Sequence, residues 1–243
     1  MQLKQPSILL STLLGLALLL AAFSPALAQP PSPGLEMQAQ AAFEGNFKFG
    51  EWVPIWVSLQ NSGADLSGQV IVRVSGSGGN MVYAAPVDLP GGARKRLPIY
   101  VLPNNFTRLL SVQYEADNQV LAKQNVPVQP QINASFFIGL ISPQRGALTL
   151  LNGLEFPGIK RQVVLFDMQL SELPPRSQAM RSLDVLVLNS SDTSQLTAEQ
   201  AEAIHAWVRQ GGRLVIGGGA LAQETVSGLQ ALPLPLEVAS TQQ

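Results

Sequence analysis

Seven residues in the C-terminal third have the types and spacing that binding chemistry requires. Asn189-Ser190-Ser191-Asp192 offers an amide, two hydroxyls and a carboxylate in succession, and Gly217-Gly218-Gly219 offers backbone N–H groups with no side chain in the way. Glycine lets a backbone approach an anion closely. Asn189, Ser190, Ser191, Asp192, Gly217, Gly218 and Gly219 could therefore line one polar ligand pocket. The glycines lack GxGxxG spacing and no Lys-Ser/Thr pair follows them, so a phosphate loop is not supported. A plain strand-exit turn is the stronger reading. A serine nucleophile needs a base within hydrogen-bond reach. His205, the one histidine, falls in mid-helix beside Trp207 and Val208 and reads as a packed helix residue. Asp184, Asp192, Glu199 and Glu202 supply carboxylates but no clear pair facing across a cleft. The chain has no cysteine and a single histidine, which excludes thiolate chemistry and a multi-histidine metal site. No catalytic residue, cofactor or metal is expected.

A second candidate is aromatic. Trp52 and Trp56 fall on one face of a strand, opposite Val53, Ile55 and Val57. Two flat indoles can stack on a sugar ring; packing beneath a loop or against the second half of the chain is the stronger reading. Arg94-Lys95-Arg96 could face anionic envelope polymers, although charge guarding a solvated strand edge is the commoner reason for such residues. Asn105-Phe106-Thr107 and Asn133-Ala134-Ser135 match glycosylation sequons, which carry little information at that length.

The elements that must position the polar stretches lie between Leu183 and Ala220. Leu183 to Leu188 is a short, nearly all-apolar run, as in a strand covered on both faces. Thr197 is an N-cap with Gln200 three residues on, the two halves of a capping box. Ala201, Ile204, His205, Trp207 and Val208 recur at roughly helical spacing and give one buried stripe. Gly211-Gly212 ends the helix, and Leu214-Val215-Ile216 is the next buried strand. Strand, helix and parallel strand form a right-handed βαβ unit. Phe136 to Ile141 and Gln162 to Phe166 add two more buried strands, Ala147 to Leu154 a helical turn or two, and Gln223 to Leu229 a last helix. Four parallel strands with few covering helices leave the sheet short of its C-terminal part. Either a remainder follows Gln243 or the domain is minimal.

Earlier in the chain the pattern is different. Residues 1–28 read as a secretory signal: Lys4, an apolar Ile8 to Phe23, and Ala26-Leu27-Ala28 as a cleavage box before Gln29. Cleavage is favoured over a retained anchor, because the apolar run is short for a membrane span of ~20 residues. Residues 29–34 form a Pro/Ser linker. From 35 to 128, about seven short alternating strands separated by turns argue for an antiparallel β-sandwich of the immunoglobulin or fibronectin type. Residues 129–133 are a proline-punctuated linker, and 134–243 the α/β domain with a parallel sheet. Lys+Arg 15 against Asp+Glu 16 gives no basic field for nucleic acid.

The residues DVLVLNSSD followed by LTAEQAEAIHAWVRQGGRLVIGGG resemble the class I glutamine amidotransferase-like superfamily, specifically its inactive branch in bacterial envelope proteins. That resemblance covers roughly the last 110 residues. It implies a flavodoxin/amidotransferase-like α/β domain behind a signal peptide and a β-sandwich, usually with a later membrane helix. Active members carry a cysteine on a strained turn after the strand equivalent to Leu214-Val215-Ile216, where this chain has Gly217-Gly218-Gly219. The expectation is thus a multidomain β plus α/β protein, exported and extracytoplasmic. It would act as a non-catalytic interaction or scaffold module, part of a larger membrane-anchored protein. Its partners would be other envelope proteins or a membrane segment not present in the chain. The alternative is a carbohydrate-binding or carbohydrate-processing envelope protein using Trp52 and Trp56.

Overall fold

The computed structural model describes residues 34–76, 79–144, 146–152 and 162–230. The expected signal at 1–28, nearly all of the 29–34 linker and the C-terminal LPLPLEVASTQQ lie outside the described residues. Among the described residues no helix is long and apolar enough to cross a membrane. The fold is rich in β structure, with antiparallel and parallel sheets together.

Alternating apolar residues build the first half. Strands β1 (Leu35–Ala41), β2 (Asn46–Lys48), β3 (Val53–Asn61), β4 (Leu66–Gly76), β5 (Gly79–Leu89), β6 (Arg94–Val101), β7 (Leu109–Ala116) and β8 (Gln119–Pro127) follow in order. One antiparallel sheet runs β1-β3-β6 and a second runs β5-β4-β7-β8. Val53, Ile55, Val57 and Leu59 of β3 meet Val70, Val72 and Val74 of β4 in one core. Gln124 on β8 ties the two sheets together: its Oε1 accepts from Ala39 N at 2.7 Å and its Nε2 donates to Ala39 O at 2.9 Å.

Residues 129–133, expected as a linker, are partly a strand. β9 (Gln129–Gln131) pairs in parallel with β2, Asn46 opposite Gln129 and Lys48 opposite Gln131. Pro130 is tolerated because each strand of a two-stranded ladder has one unpaired edge.

The second half contains β10 (Phe136–Ile141), β11 (Val163–Asp167), β12 (Val185–Leu188), helix α1 (Ala198–Arg209), β13 (Arg213–Ile216) and a short α2 (Ala222–Ser227). Its sheet is wholly parallel in the order β11-β10-β12-β13. The capping box read from the sequence is present at α1. Thr197 Oγ1 accepts from Gln200 N at 3.2 Å, and Gln200 Oε1 accepts from Thr197 N at 3.0 Å. Gln200 is buried and also donates to Leu170 O and Leu173 O, which fastens the start of the helix to the preceding loop. Ala203, Ile204 and Trp207 form the buried stripe. Gly212 tucks under Trp207, where a Cβ would overlap the indole.

β13 departs from the expectation of a buried strand. It is the last strand of its sheet, and Val215 is 48% exposed. Arg213 and Val215 are exposed on one face while Leu214 and Ile216 are half-buried on the other, and among the described residues no strand pairs with its outer edge.

The second core takes residues from both halves. Phe137, Phe166, Leu173, Met180, Leu186, Ile204 and Trp207 pack with Ala42, Phe43 and Trp56. β3 is therefore covered on one face by β4 and β7, and at Trp56 on the other by the parallel half.

Candidate functional site

The carboxyl ends of three parallel strands meet at the sequence-predicted pocket. Asn189 follows β12 and donates its N–H to Ile141 O at 2.9 Å; Gly217 follows β13 and donates to Leu188 O at 2.7 Å. Asn189 Nδ2 reaches Ser142 Oγ, after β10, at 3.4 Å. Asn189, Ser142 and Gly217 are thus brought together, at the end of the sheet where open α/β folds hold ligands.

Ser191 and Asp192 are committed to structure. Ser191 is buried; its Oγ donates to Ile141 O at 3.2 Å and lies 3.1 Å from Asn189 O, while its N–H meets Thr225 Oγ1 at 3.2 Å. Asp192 caps the turn that follows: Oδ1 accepts from Ser194 Oγ at 2.6 Å and Ser194 N at 3.1 Å, and Oδ2 from Gln195 Nε2 at 3.2 Å. The Ser194 hydroxyl first, then the Gln195 amide and the Ser194 N–H, hold the Asp192 carboxyl below its ordinary range. It is ionised at neutral pH, an acceptor and not a proton donor. Ser190 stands at φ 52°, a left-handed conformation that non-glycine residues rarely adopt. The loop is fastened from below by Thr193, whose Oγ1 binds Thr225 O at 3.0 Å and receives Gly228 N at 2.9 Å.

The glycine turn is heterogeneous. A Cβ on Gly217 would overlap Asn189 Oδ1, whereas Gly218 and Gly219 face open space and Gly219 holds φ at 106°. Gly217→Ala is therefore expected to displace Asn189 from Ser142 and lower stability by about 1–2 kcal/mol, as overpacking does. Gly218→Ala should leave the melting temperature within a degree or so, since it meets nothing. Thermal melts of the two variants measure the contrast.

His205 is half-buried on α1, with Nδ1 3.8 Å from Glu202 Oε2 on the same helix. Asp184, read as a spare carboxylate, is engaged. Its Oδ2 accepts from Lys48 Nζ at 2.6 Å and from Phe137 N at 2.8 Å. Lys48 also lies 4.8 Å from the centre of the Phe137 ring. No sequence pattern pointed to Lys48, which sits in a three-residue strand.

The indoles do not form the pair that sugar stacking requires. Trp56 is only 7% exposed, and the Arg96 guanidinium covers its ring at 4.6 Å. Trp52 is half-buried and meets Tyr83 edge-on with ring centres 6.4 Å apart. Trp56 fills the second core, whereas Trp52 immediately precedes β3 and lies against Tyr83. Tyr100, opposite Pro54 on β6, has its hydroxyl pushed above the usual range by burial, against a weaker opposing pull from Arg176. Trp56 Nε1 and Tyr100 Oη have no hydrogen-bond partner among the described residues. Among the described residues no group of three or more His, Cys, Asp or Glu is placed to hold a metal ion.

Comparison with known proteins adds little to this geometry. No curated protein matches the chain. Among solved structures, Pseudomonas fluorescens alkylpurine DNA glycosylase AlkC bound to DNA containing an abasic site analog is similar at 13% identity and a TM-score of 0.31. That likeness covers 40% of this chain and 30% of that one, so the chain spans under a third of its length. A family model described as a domain of unknown function (DUF8726) matches residues 34–129, the stretch that holds β1 to β8.

Proposed function

We propose that the chain is a non-catalytic, extracytoplasmic interaction module of a bacterial envelope protein, in which a fibronectin-like sandwich is fused to an inactive amidotransferase-like domain. The observation that carries the non-catalytic part is the end of the parallel sheet. Gly217-Gly218-Gly219 presents no nucleophile there, Ser191 is buried and bonded to main chain, and Asp192 is spent on a turn. The fold assignments have topological support. Three strands (β1-β3-β6) face four (β5-β4-β7-β8), as in fibronectin-like sandwiches. Numbered within the second half, the parallel strands run 2-1-3-4, the beginning of the flavodoxin-like order. The N-terminal apolar stretch with its cleavage box supports export.

The test is turnover. The purified full chain, given L-glutamine and a panel of nitrophenyl esters, should release neither ammonia nor nitrophenolate above the buffer rate. Hydrolysis that disappears in Ser190→Ala, Ser191→Ala or Asp192→Asn overturns the reading. Recovery of the chain from the cytoplasm with an intact N-terminus removes its extracytoplasmic part.

A further inference from the structure

The outer face of β1-β3-β6 is polar where the parallel half stops covering it. Two cross-strand rows lie there: Glu36 opposite Gln60 opposite Arg94, and Gln38 opposite Ser58 opposite Arg96. The next row, Gln40-Trp56-Pro98, meets the second core. The two polar rows line a groove of about 370 Å³, within the ~300–1,000 Å³ of small-molecule clefts. The turn at Leu170–Glu172 lies at its end, where Ser171 O accepts from Arg96 Nη1 at 3.0 Å and Glu172 Oε1 accepts from Gln40 Nε2 at 3.1 Å.

Arg96 is a fixed arginine. The Trp56 ring beneath its guanidinium strips water from one face, and the bond to Ser171 O fixes the direction of the fork. A guanidinium held that way keeps further N–H groups for a planar anion and loses little freedom in binding it. Arg94 and Lys95 are exposed beside it and form no ion pair among the described residues. One carboxylate, Glu36, stands two strands away across the row, roughly 10 Å from Arg94 by strand spacing. Between the two ends are neutral donors and acceptors only: Gln38, Ser58 and Gln60.

We infer that this groove binds an acidic oligosaccharide. Arg96 and Arg94 take its carboxylates, while Gln38, Ser58, Gln60 and Glu36 bond its hydroxyls. A peptide fits the face less well. The groove lies on the flat of the sheet, and at Ala39 of the β1 edge both backbone groups are already taken by Gln124. An incoming strand finds no ladder to extend there. The inference stands apart from the glycine turn, because it is read as binding and not as turnover.

The test is calorimetric titration of the full chain with a galacturonate hexamer, beside maltohexaose, hexaglutamate and tripolyphosphate. The galacturonate hexamer should bind, weaken as salt is added, and lose affinity about tenfold or more in Arg94→Gln/Arg96→Gln. Arg94→Gln alone, remote from the indole, should cost about threefold with an unchanged melting temperature. That single variant keeps the test valid if loss of Arg96 disturbs Trp56. Absence of binding at millimolar hexamer, undiminished binding by the double variant, or equal binding of maltohexaose overturns the inference. So does tighter binding of hexaglutamate, which makes the face a peptide site, or of tripolyphosphate, which makes it a phosphate site.

Discussion

Asp184→Ala should destabilise the protein by about 3–5 kcal/mol, the cost of leaving a buried charge without its partner. The Lys48 side chain is 9% exposed and its ammonium is 2.6 Å from the Asp184 carboxylate, the closest ion pair of the described residues. Removing Asp184 leaves that ammonium, among the described residues, with the Phe137 ring at 4.8 Å, and takes the acceptor from Phe137 N. The reverse change is milder. Lys48→Met leaves a carboxylate that is 28% exposed and still bonded to Phe137 N, and the methionine stem keeps the packing; a loss of about 1–2 kcal/mol is expected there. Lys48→Met/Asp184→Asn should recover part of the Asp184→Ala loss, since no unpaired charge remains. Urea titrations of the four proteins decide the matter. A cost below about 1 kcal/mol for Asp184→Ala means that Lys48 reaches water without its partner, and that the pair does not hold the halves together.

Much of the fold follows from local pattern. Val53, Ile55, Val57 and Leu59 alternate, as do Val70, Val72 and Val74, and both runs are strands. The Thr197–Gln200 capping box gives the start of α1 before any packing is known. Short or non-local features carry no such signal. β2 and β9 are three residues each, too short for a period, and they pair across more than 80 residues. Between β1 and β2 the chain turns through Phe43 and Glu44 at φ 58° and 51°. Gly45, at φ 79°, is the only one of the three left-handed positions that the sequence marks, and the burial of Phe43 in the second core accompanies the reversal. Lys48 and Asp184 are 136 residues apart, so nothing in either neighbourhood announces the other.

The candidate site divides the same way. That Asn189 and Gly217 lie at the ends of adjacent strands is dictated by two apolar runs around one helix, and the structure brings them together. How the loop after Asn189 is held depends on α2, where Thr225 meets Ser191 N and Thr193 Oγ1, and no period in the sequence predicts those bonds. Trp56 is the sharpest case. Alternation puts it on the face opposite Val57 whether or not that face is wet. Only the arrival of Phe43, Phe137 and Phe166 turns a would-be platform into core.

Trp56→Ala is accordingly expected to cost about 3–5 kcal/mol, the range for deleting a large buried aromatic side chain. Trp56→Phe should cost far less. It keeps a ring beneath Arg96, and Trp56 Nε1 has no hydrogen-bond partner among the described residues to lose. The loss should also show in how the protein unfolds, because Trp56 is a residue of the first half that packs into the second core. Two natural reporters remain in the variant: Trp52, against Tyr83 in the sandwich, and Trp207, buried on α1. In the parent protein, tryptophan fluorescence and far-ultraviolet circular dichroism should report one urea midpoint, as a two-state transition requires. In Trp56→Ala the two probes should separate, with the parallel half melting first. It exposes Val215 along an uncovered strand edge, while the sandwich keeps its own core of Val53, Ile55, Val70 and Val72. A variant that loses under about 1 kcal/mol with coincident probes would place Trp56 outside the packing that couples the halves, and would return its indole to the surface as a candidate for stacking.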